Sequence, residues 1–170
     1  MNTTDYQKQI SDFEAHYKYD STYMRELLEY SPEGFTKFNN FMPLASHREK
    51  LSPEVYWTVK LAAMQVEDCG ECLQLNVRFA LEGGLSKQLV ETILYSSDEL
   101  PENLKDAYDF ARNIAALTPA DNALVERIET LYDKGALLEI GLCIASAKMF
   151  PTIKRTLGYA KSCSLIDIEI

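Results

Sequence analysis

Two cysteines, Cys69 and Cys72, are the residues of this chain whose type and spacing best indicate chemistry. A pair separated by two residues forms a local disulfide, binds a soft metal or acts as a redox dithiol. An inert buried pair is the plainest alternative, because free cysteine is among the most buried residue types. Ligands of a structural zinc site are usually closely spaced in the sequence. Here the further ligands would be scattered, namely Cys143, Cys163, His16 and His47. We therefore favour a redox dithiol and expect no metal and no cofactor.

The residues around the pair predict the helix that positions it. Asp68 is a favoured N-cap residue, and Glu71 follows three positions later, as in a capping box. Gly83-Gly84 supplies a stop signal. Together these features predict a helix from about Cys69 to Glu82, with both cysteines in its first turn.

That position affects the acidity of the thiols in two opposite ways. Free backbone N–H groups and the helix dipole at the first turn favour a thiolate and lower its pKa. Three nearby acidic residues, Glu67, Asp68 and Glu71, disfavour a thiolate by charge repulsion. We expect the N–H groups and the dipole to act on the sulfur atoms more directly.

Composition bounds the class of protein. The chain has 170 residues, which fits one domain over positions 1–170. With 26 acidic against 17 basic residues, it offers no basic surface for nucleic acid or for an anionic membrane. The sequence shows no uninterrupted apolar run long enough for a bilayer, and no signal-peptide pattern at its start. We expect a cytoplasmic protein whose thiols are reduced at rest.

Apolar residues recur at helical spacing through nearly the whole chain, which predicts an all-α protein. Ser52-Pro53 predicts a helix start, and the helix that follows is apolar around most of its circumference, so we expect it to be buried. Pro43 and Pro151 are expected to end helices. The predicted helices cover residues 4–17, 22–30, 32–43, 53–66, 69–82, the segment after Ser86, 102–117, 124–131 with a stop near Gly135, 137–149 and 153–160.

The segment from Ser52 to Ser86 reads SPEVYWTVKLAAMQVEDCGECLQLNVRFALEGGLS. It resembles the signature of the AhpD-like superfamily, the alkylhydroperoxidase D and carboxymuconolactone decarboxylase group. The shared features are an apolar helix running into CxxC, a polar residue four positions after the second cysteine, an alanine, paired glycines and a serine-capped helix. The resemblance implies an all-α helical bundle that assembles into homo-oligomers, either trimers or hexamers. Decarboxylase members generally lack the cysteine pair, so its presence favours the redox branch.

The resemblance also implies roles for individual residues. Cys72 corresponds to the attacking thiol, and Cys69 corresponds to its resolving partner. The family's histidine is Asn76 here, and the family's glutamate is Trp57, so both members of the usual proton relay are missing. Asparagine cannot act as a general base, and tryptophan cannot carry a proton. Asn76 lies one helical turn from Cys72, where its amide is placed to hydrogen-bond the thiolate.

Four residues are candidates to replace the missing relay, namely Glu54, Glu71, Lys60 and His47. Each also has a purely structural interpretation. Glu54 fits the first turn of a helix, Lys60 and Glu71 fit solvated charges, and His47 fits a loop surface.

The sequence thus predicts a thiol-dependent redox protein acting on a small-molecule peroxide or disulfide. It would need an external thiol reductant, which the sequence does not identify. Two alternatives remain open because the relay is incomplete. One is a non-catalytic oligomeric binding or scaffold protein, and the other is an enzyme on this fold that converts a small organic substrate without the thiols.

Overall fold

The computed structural model describes residues 3–165 and 167–170, which form nine α-helices and two short 3-10 helices with no strand among them. The predicted all-α class is confirmed. The α-helices are α1 (Thr3–Tyr17), α2 (Thr22–Tyr30), α3 (Pro32–Ala45), α4 (Pro53–Val66), α5 (Gly70–Glu82), α6 (Lys87–Tyr95), α7 (Glu102–Ala116), α8 (Asn122–Leu131) and α9 (Lys134–Thr156). The 3-10 helices span Ser97–Glu99 and Cys163–Leu165.

Helix α4 is the central helix of the fold, as its nearly continuous apolar surface predicts. Nine of its 14 residues are buried, and it packs against α5, α6, α7 and α9. Its start is fixed locally, because the Ser52 hydroxyl accepts a hydrogen bond from the Val55 N–H group and proline occupies the first turn. This helix leads directly into α5, which begins with the cysteine pair.

Two apolar clusters form the core. The larger cluster is built on α4 and includes the disulfide-bonded cysteines together with side chains from α5, α6, α7 and α9. The smaller cluster is aromatic and joins α1, α2 and α3, with Phe35 and Phe38 at its centre. The rings of Tyr6 and Phe35 meet edge to face with centroids 5.0 Å apart, a favoured geometry for aromatic pairs. A cavity described below lies where the two clusters meet.

Two prolines lie inside helices instead of ending them, so those two boundaries were wrong. Pro43 sits two residues before the end of α3. Pro151 is buried within α9, which continues to Thr156, so residues 153–156 of the predicted separate helix belong to α9 and residues 157–160 are not helical. Proline disfavours a helix interior locally. Here the last turn of α9 is held by tertiary contacts, since Lys154 and Arg155 bond to the acidic residues around the cysteine pair.

The start of α9 also differs from the predicted boundary. Asp133 caps it by accepting a hydrogen bond from the Ala136 N–H group at 2.8 Å. Gly135 therefore lies in the first turn of α9 and does not stop the preceding helix.

One side of α9 leaves apolar side chains exposed. Leu138 is 64% exposed and Leu142 is 37% exposed, and Gly141 and Ala145 lie exposed beside them. Ile114 of α7 is exposed as well. By length and composition α9 meets the criterion for a membrane span. Core helices of globular proteins meet the same criterion, and the other side of α9 packs on α4.

Candidate dithiol site

Cys69 and Cys72 are joined in a disulfide at the start of α5, with their sulfur atoms 2.12 Å apart. Cys69 occupies the N-cap position, and Cys72 lies in the first turn. Their exposed fractions are only 0% and 2%. The local spacing therefore brings the two thiols together as expected, but the surrounding helices shield both residues from solvent.

The expected capping box is wrong, because Asp68 is not the N-cap of α5. It adopts a left-handed backbone conformation with φ 47°, whereas a capping residue needs an extended one. Its carboxylate instead accepts hydrogen bonds from the Cys163 N–H group at 2.8 Å and the Ser162 hydroxyl at 2.9 Å. These bonds hold the pKa of Asp68 below its ordinary value. The first turn of α5 is thus tied to the C-terminal segment.

The other two acidic residues near the pair are neutralised by basic residues of α9 and the segment after it. Glu67 accepts a hydrogen bond from the Arg155 guanidinium at 2.6 Å. Glu71 bonds the buried Lys154 ammonium at 2.5 Å and lies 3.3 Å from the Lys161 ammonium. The charge repulsion expected to disfavour a thiolate is therefore offset by cations at the same place.

Cys72 lines a cavity of about 840 Å³ between the two apolar clusters. That volume lies within the range of roughly 300–1,000 Å³ for small-molecule sites. The apolar wall includes Phe13, Met24, Met42, Leu75, Phe79 and Phe150. The polar lining includes Asn39, Ser46, Arg48, Tyr56, Lys60 and Asn76. Cys69 is absent from the described lining, so the thiol in contact with the cavity is the one assigned as the attacking group.

Asn76 and Trp57, the two residues that the resemblance aligns with a proton relay, both line the same cavity. The Asn76 side-chain N–H group donates to the backbone carbonyl of Cys72 at 2.8 Å. The amide is therefore close to Cys72 but bonds its carbonyl instead of its sulfur atom. Trp57 lies beside Tyr56, with ring centroids 5.1 Å apart.

The four candidate relay residues fall in different places. Glu54 is an exposed first-turn residue whose pKa is lowered by the backbone N–H bond it accepts and by the Ser52 hydroxyl. Glu71 is occupied by its ion pairs, and His47 is absent from the cavity lining. Among these four, Lys60 is the residue that the described structure places in the cavity wall with Cys72.

Lys60 is buried, with 3% of its surface exposed, so its interpretation as a solvated charge is wrong. Its ammonium donates to Ser146 Oγ at 2.6 Å, to the Ala45 carbonyl at 3.1 Å and to the Cys143 carbonyl at 3.2 Å. Burial lowers the pKa of this amine. The sequence did carry a signal, since a single lysine stood within a helix that is apolar on most sides.

Sequence reasoning missed Arg48 and Tyr56 at the same end of the cavity. The Tyr56 hydroxyl donates to the Ala45 carbonyl at 2.8 Å, the carbonyl that Lys60 also uses. Burial raises the pKa of Tyr56 above its ordinary value. The Arg48 guanidinium donates to the Leu51 carbonyl at 3.2 Å. No motif marks these residues, because the cavity brings them together from a helix and a loop.

The other two cysteines, Cys143 and Cys163, are free thiols. Burial raises the pKa of the Cys143 thiol to about 11. Burial and the charge of Asp68 raise the pKa of Cys163 to about 11 as well. Among the described residues, no cluster of histidine, cysteine and acidic side chains is arranged to hold a metal ion.

Comparisons with protein-family models, with curated proteins and with solved structures find no significant match to this chain. Membership of the AhpD-like superfamily therefore stays a prediction from the residues between Ser52 and Ser86.

Proposed function

We propose that this protein is a thiol-dependent oxidoreductase that reduces a small-molecule peroxide or disulfide with the Cys69–Cys72 dithiol. The observation that supports it best is the position of Cys72, which is bonded to Cys69 and also lines the 840 Å³ cavity. A substrate bound in that cavity would lie beside Cys72, whereas Cys69 is not among the described lining residues.

For a peroxide, the reaction has two steps in the protein. The Cys72 thiolate attacks the O–O bond, which releases the alcohol and leaves a sulfenic acid on Cys72. The Cys69 thiol then attacks that sulfur atom and releases water, so the dithiol is oxidised by two electrons to the observed disulfide. An external dithiol returns the two electrons and is itself oxidised to a disulfide. For a disulfide substrate, Cys72 forms a mixed disulfide that Cys69 resolves.

Proton transfer in this proposal falls to Lys60. Its buried ammonium, whose pKa burial lowers, would give a proton to the alkoxide that leaves the peroxide, so that a neutral alcohol departs. Asn76 would act as a positioning residue through its bond to the Cys72 carbonyl. The ion pairs of Glu67 and Glu71 would limit the repulsion between their carboxylates and the thiolate.

One observation favours a second function, a binding protein with a structural disulfide. Both cysteines are almost completely buried, and reactive cysteines are usually partly exposed. In that case the cavity would bind its ligand without chemistry.

Trapping experiments on reduced protein separate the two functions. One equivalent of cumene hydroperoxide is added, free thiols are alkylated, and the cysteines are mapped by mass spectrometry. We expect the Cys69–Cys72 disulfide to form, Cys72→Ser to abolish peroxide consumption, and Cys69→Ser to accumulate a sulfenic acid on Cys72 that dimedone traps. Buried Cys143 serves as the internal control. Consumption of peroxide by Cys72→Ser at the wild-type rate would refute the proposal.

The protein is also proposed to form a homo-oligomer. The exposed apolar side of α9, from Leu138 to Ala145, supports this, because large exposed apolar patches are uncommon on monomers. A cytoplasmic location remains a prediction.

A further inference from the structure

The charge of the cavity is opposite to the charge of the protein as a whole. The chain carries 26 acidic and 17 basic residues. The described residues that line the cavity nevertheless include two cations, Arg48 and Lys60, and no aspartate or glutamate. In an acidic protein, such a lining selects for ligands of negative charge, because a bound anion meets attraction there and repulsion at most other surfaces.

The two cations act at the same end of the cavity. The Lys60 ammonium bonds the Ala45 carbonyl at the end of α3, and Arg48 follows three residues later. Tyr56 is near both cations, since its hydroxyl bonds Ala45, its ring centroid lies 5.6 Å from the Lys60 nitrogen, and the charge of Arg48 acts on it. An anionic group bound beside Tyr56 would therefore be attracted by both positive charges.

The two backbone carbonyls that accept hydrogen bonds from Lys60 do not depend on it. The Ala45 carbonyl also accepts the Tyr56 hydroxyl at 2.8 Å, and the Cys143 carbonyl also accepts the Ser146 hydroxyl at 2.8 Å. The described structure places no carboxylate at ion-pair distance from the Lys60 nitrogen, whose partners are all neutral. A buried cation without a counter-ion is costly, so a bound anion is the partner that would offset the cost.

The rest of the wall sets the other part of the ligand. Phe13, Phe79 and Leu75 line the cavity together with Met24 and Phe150. Aromatic rings and methionine side chains favour an apolar body and adapt to its shape.

We propose that this cavity binds a monocarboxylate with an elongated apolar body, its carboxylate beside Lys60 and Arg48 and its body along the aromatic wall. As a statement about the substrate, this rests on the proposed redox function. The binding step itself needs only the cavity, so the two can fail separately.

The test uses the 170-residue chain in its disulfide form, in which no thiol chemistry takes place at the pair. Trp57 is the single tryptophan and lines the cavity, so its fluorescence reports occupancy, with calorimetry as a second readout. The probes are decanoate, the neutral 1-decanol of equal chain length, and acetate. We expect saturable decanoate binding, about ten- to a hundredfold weaker binding of decanol, and no binding of acetate.

Two lysine variants locate the effect. Lys60→Met keeps most of the side-chain length and removes the charge, so it should remove the preference for decanoate over decanol while the protein stays folded by circular dichroism. Lys37→Met is the matched control, because Lys37 is exposed, pairs with Glu33 on α3 and does not line the cavity. It should bind decanoate as the wild type does.

The inference is overturned if decanoate and decanol bind equally, if neither binds by either readout, or if Lys60→Met keeps the preference. Loss of peroxide-dependent disulfide formation with decanoate binding intact would count against the proposed redox function alone.

Discussion

Glu71 and Lys154 form an ion pair, and we expect substitution of Glu71 to destabilise the protein much more than substitution of Lys154. Lys154 is only 1% exposed, and its nitrogen lies 2.5 Å from a Glu71 oxygen atom. The rings of Tyr19 and Tyr23 lie beside it, with centroids 4.7 and 5.7 Å away, and it also interacts electrostatically with Asp20. Glu71→Gln leaves this buried cation without its directly bonded carboxylate, whereas Lys154→Met leaves a carboxylate that is 19% exposed and still has Lys161 nearby.

The structure sets the size of each effect. Removing one partner of a buried pair costs about 3–5 kcal/mol of unfolding free energy. For Glu71→Gln we expect the lower end, about 3 kcal/mol, because the amide oxygen still accepts a hydrogen bond and the tyrosine rings still face the cation. For Lys154→Met we expect about 1 kcal/mol, because methionine keeps most of the apolar stem packed and removes the charge that needs a partner.

Urea denaturation of both single variants and of the double variant measures this difference. With a slope of about 2 kcal/mol per molar urea, Glu71→Gln should lower the midpoint by about 1.5 M. The double variant should resemble Lys154→Met alone, since the unpaired cation is then gone. If Lys154→Met costs as much as Glu71→Gln, the burial of an uncompensated cation is not the dominant effect and the reasoning fails.

Three further predictions concern the cavity and the exposed face. Asn76→His should accelerate peroxide oxidation of Cys72 by up to about a hundredfold and lower the apparent pKa of its thiol, measured by stopped flow across pH. Asn76→Ala should change the rate little. Equal rates for Asn76→His and the wild type would show that residue 76 does not affect the thiol. Burial lowers the pKa of Lys60 in the folded protein, whereas the unfolded chain keeps 10.5. Between these two pKa values the unfolded state binds more protons, so the free energy of unfolding of the wild type should rise with pH. Any stability advantage of Lys60→Met over the wild type should therefore shrink over that pH range in urea titrations. A constant difference would place the Lys60 pKa at its ordinary value. Light scattering at micromolar concentration should show an oligomer that Leu138→Glu dissociates; a wild-type monomer would contradict this.

The helix boundaries show which features the sequence alone could predict. Ser52 and Ser86 were predicted correctly as helix starts, because each hydroxyl accepts a hydrogen bond from an N–H group three residues later, and such contacts depend on local sequence. Asp68 has the same preference but folds into a left-handed turn, because the C-terminal segment supplies bonds for its carboxylate. Pro151 was misjudged for a related reason, since distant acidic residues hold the helix beyond it.

The candidate site divides in the same way. The proximity of Cys69 and Cys72 follows from their spacing alone. The cavity beside Cys72 does not, because its walls come from several helices and the loop after α3. The burial of Lys60 follows from that same assembly of helices, and no short-range pattern predicts which charged residue becomes enclosed.

The bonds of Asp68 also bear on the order of folding. They join it to Ser162 and Cys163, which lie 94 and 95 positions further along the chain. Closing so long a loop costs chain entropy before any contact forms, and distant contacts form slowly. Helices α4 and α5 are joined by three residues, so they can meet from local contacts alone. We therefore expect the two cysteines of a newly made chain to come together before their enclosure is complete, and to be open to oxidants and to other thiols in that interval.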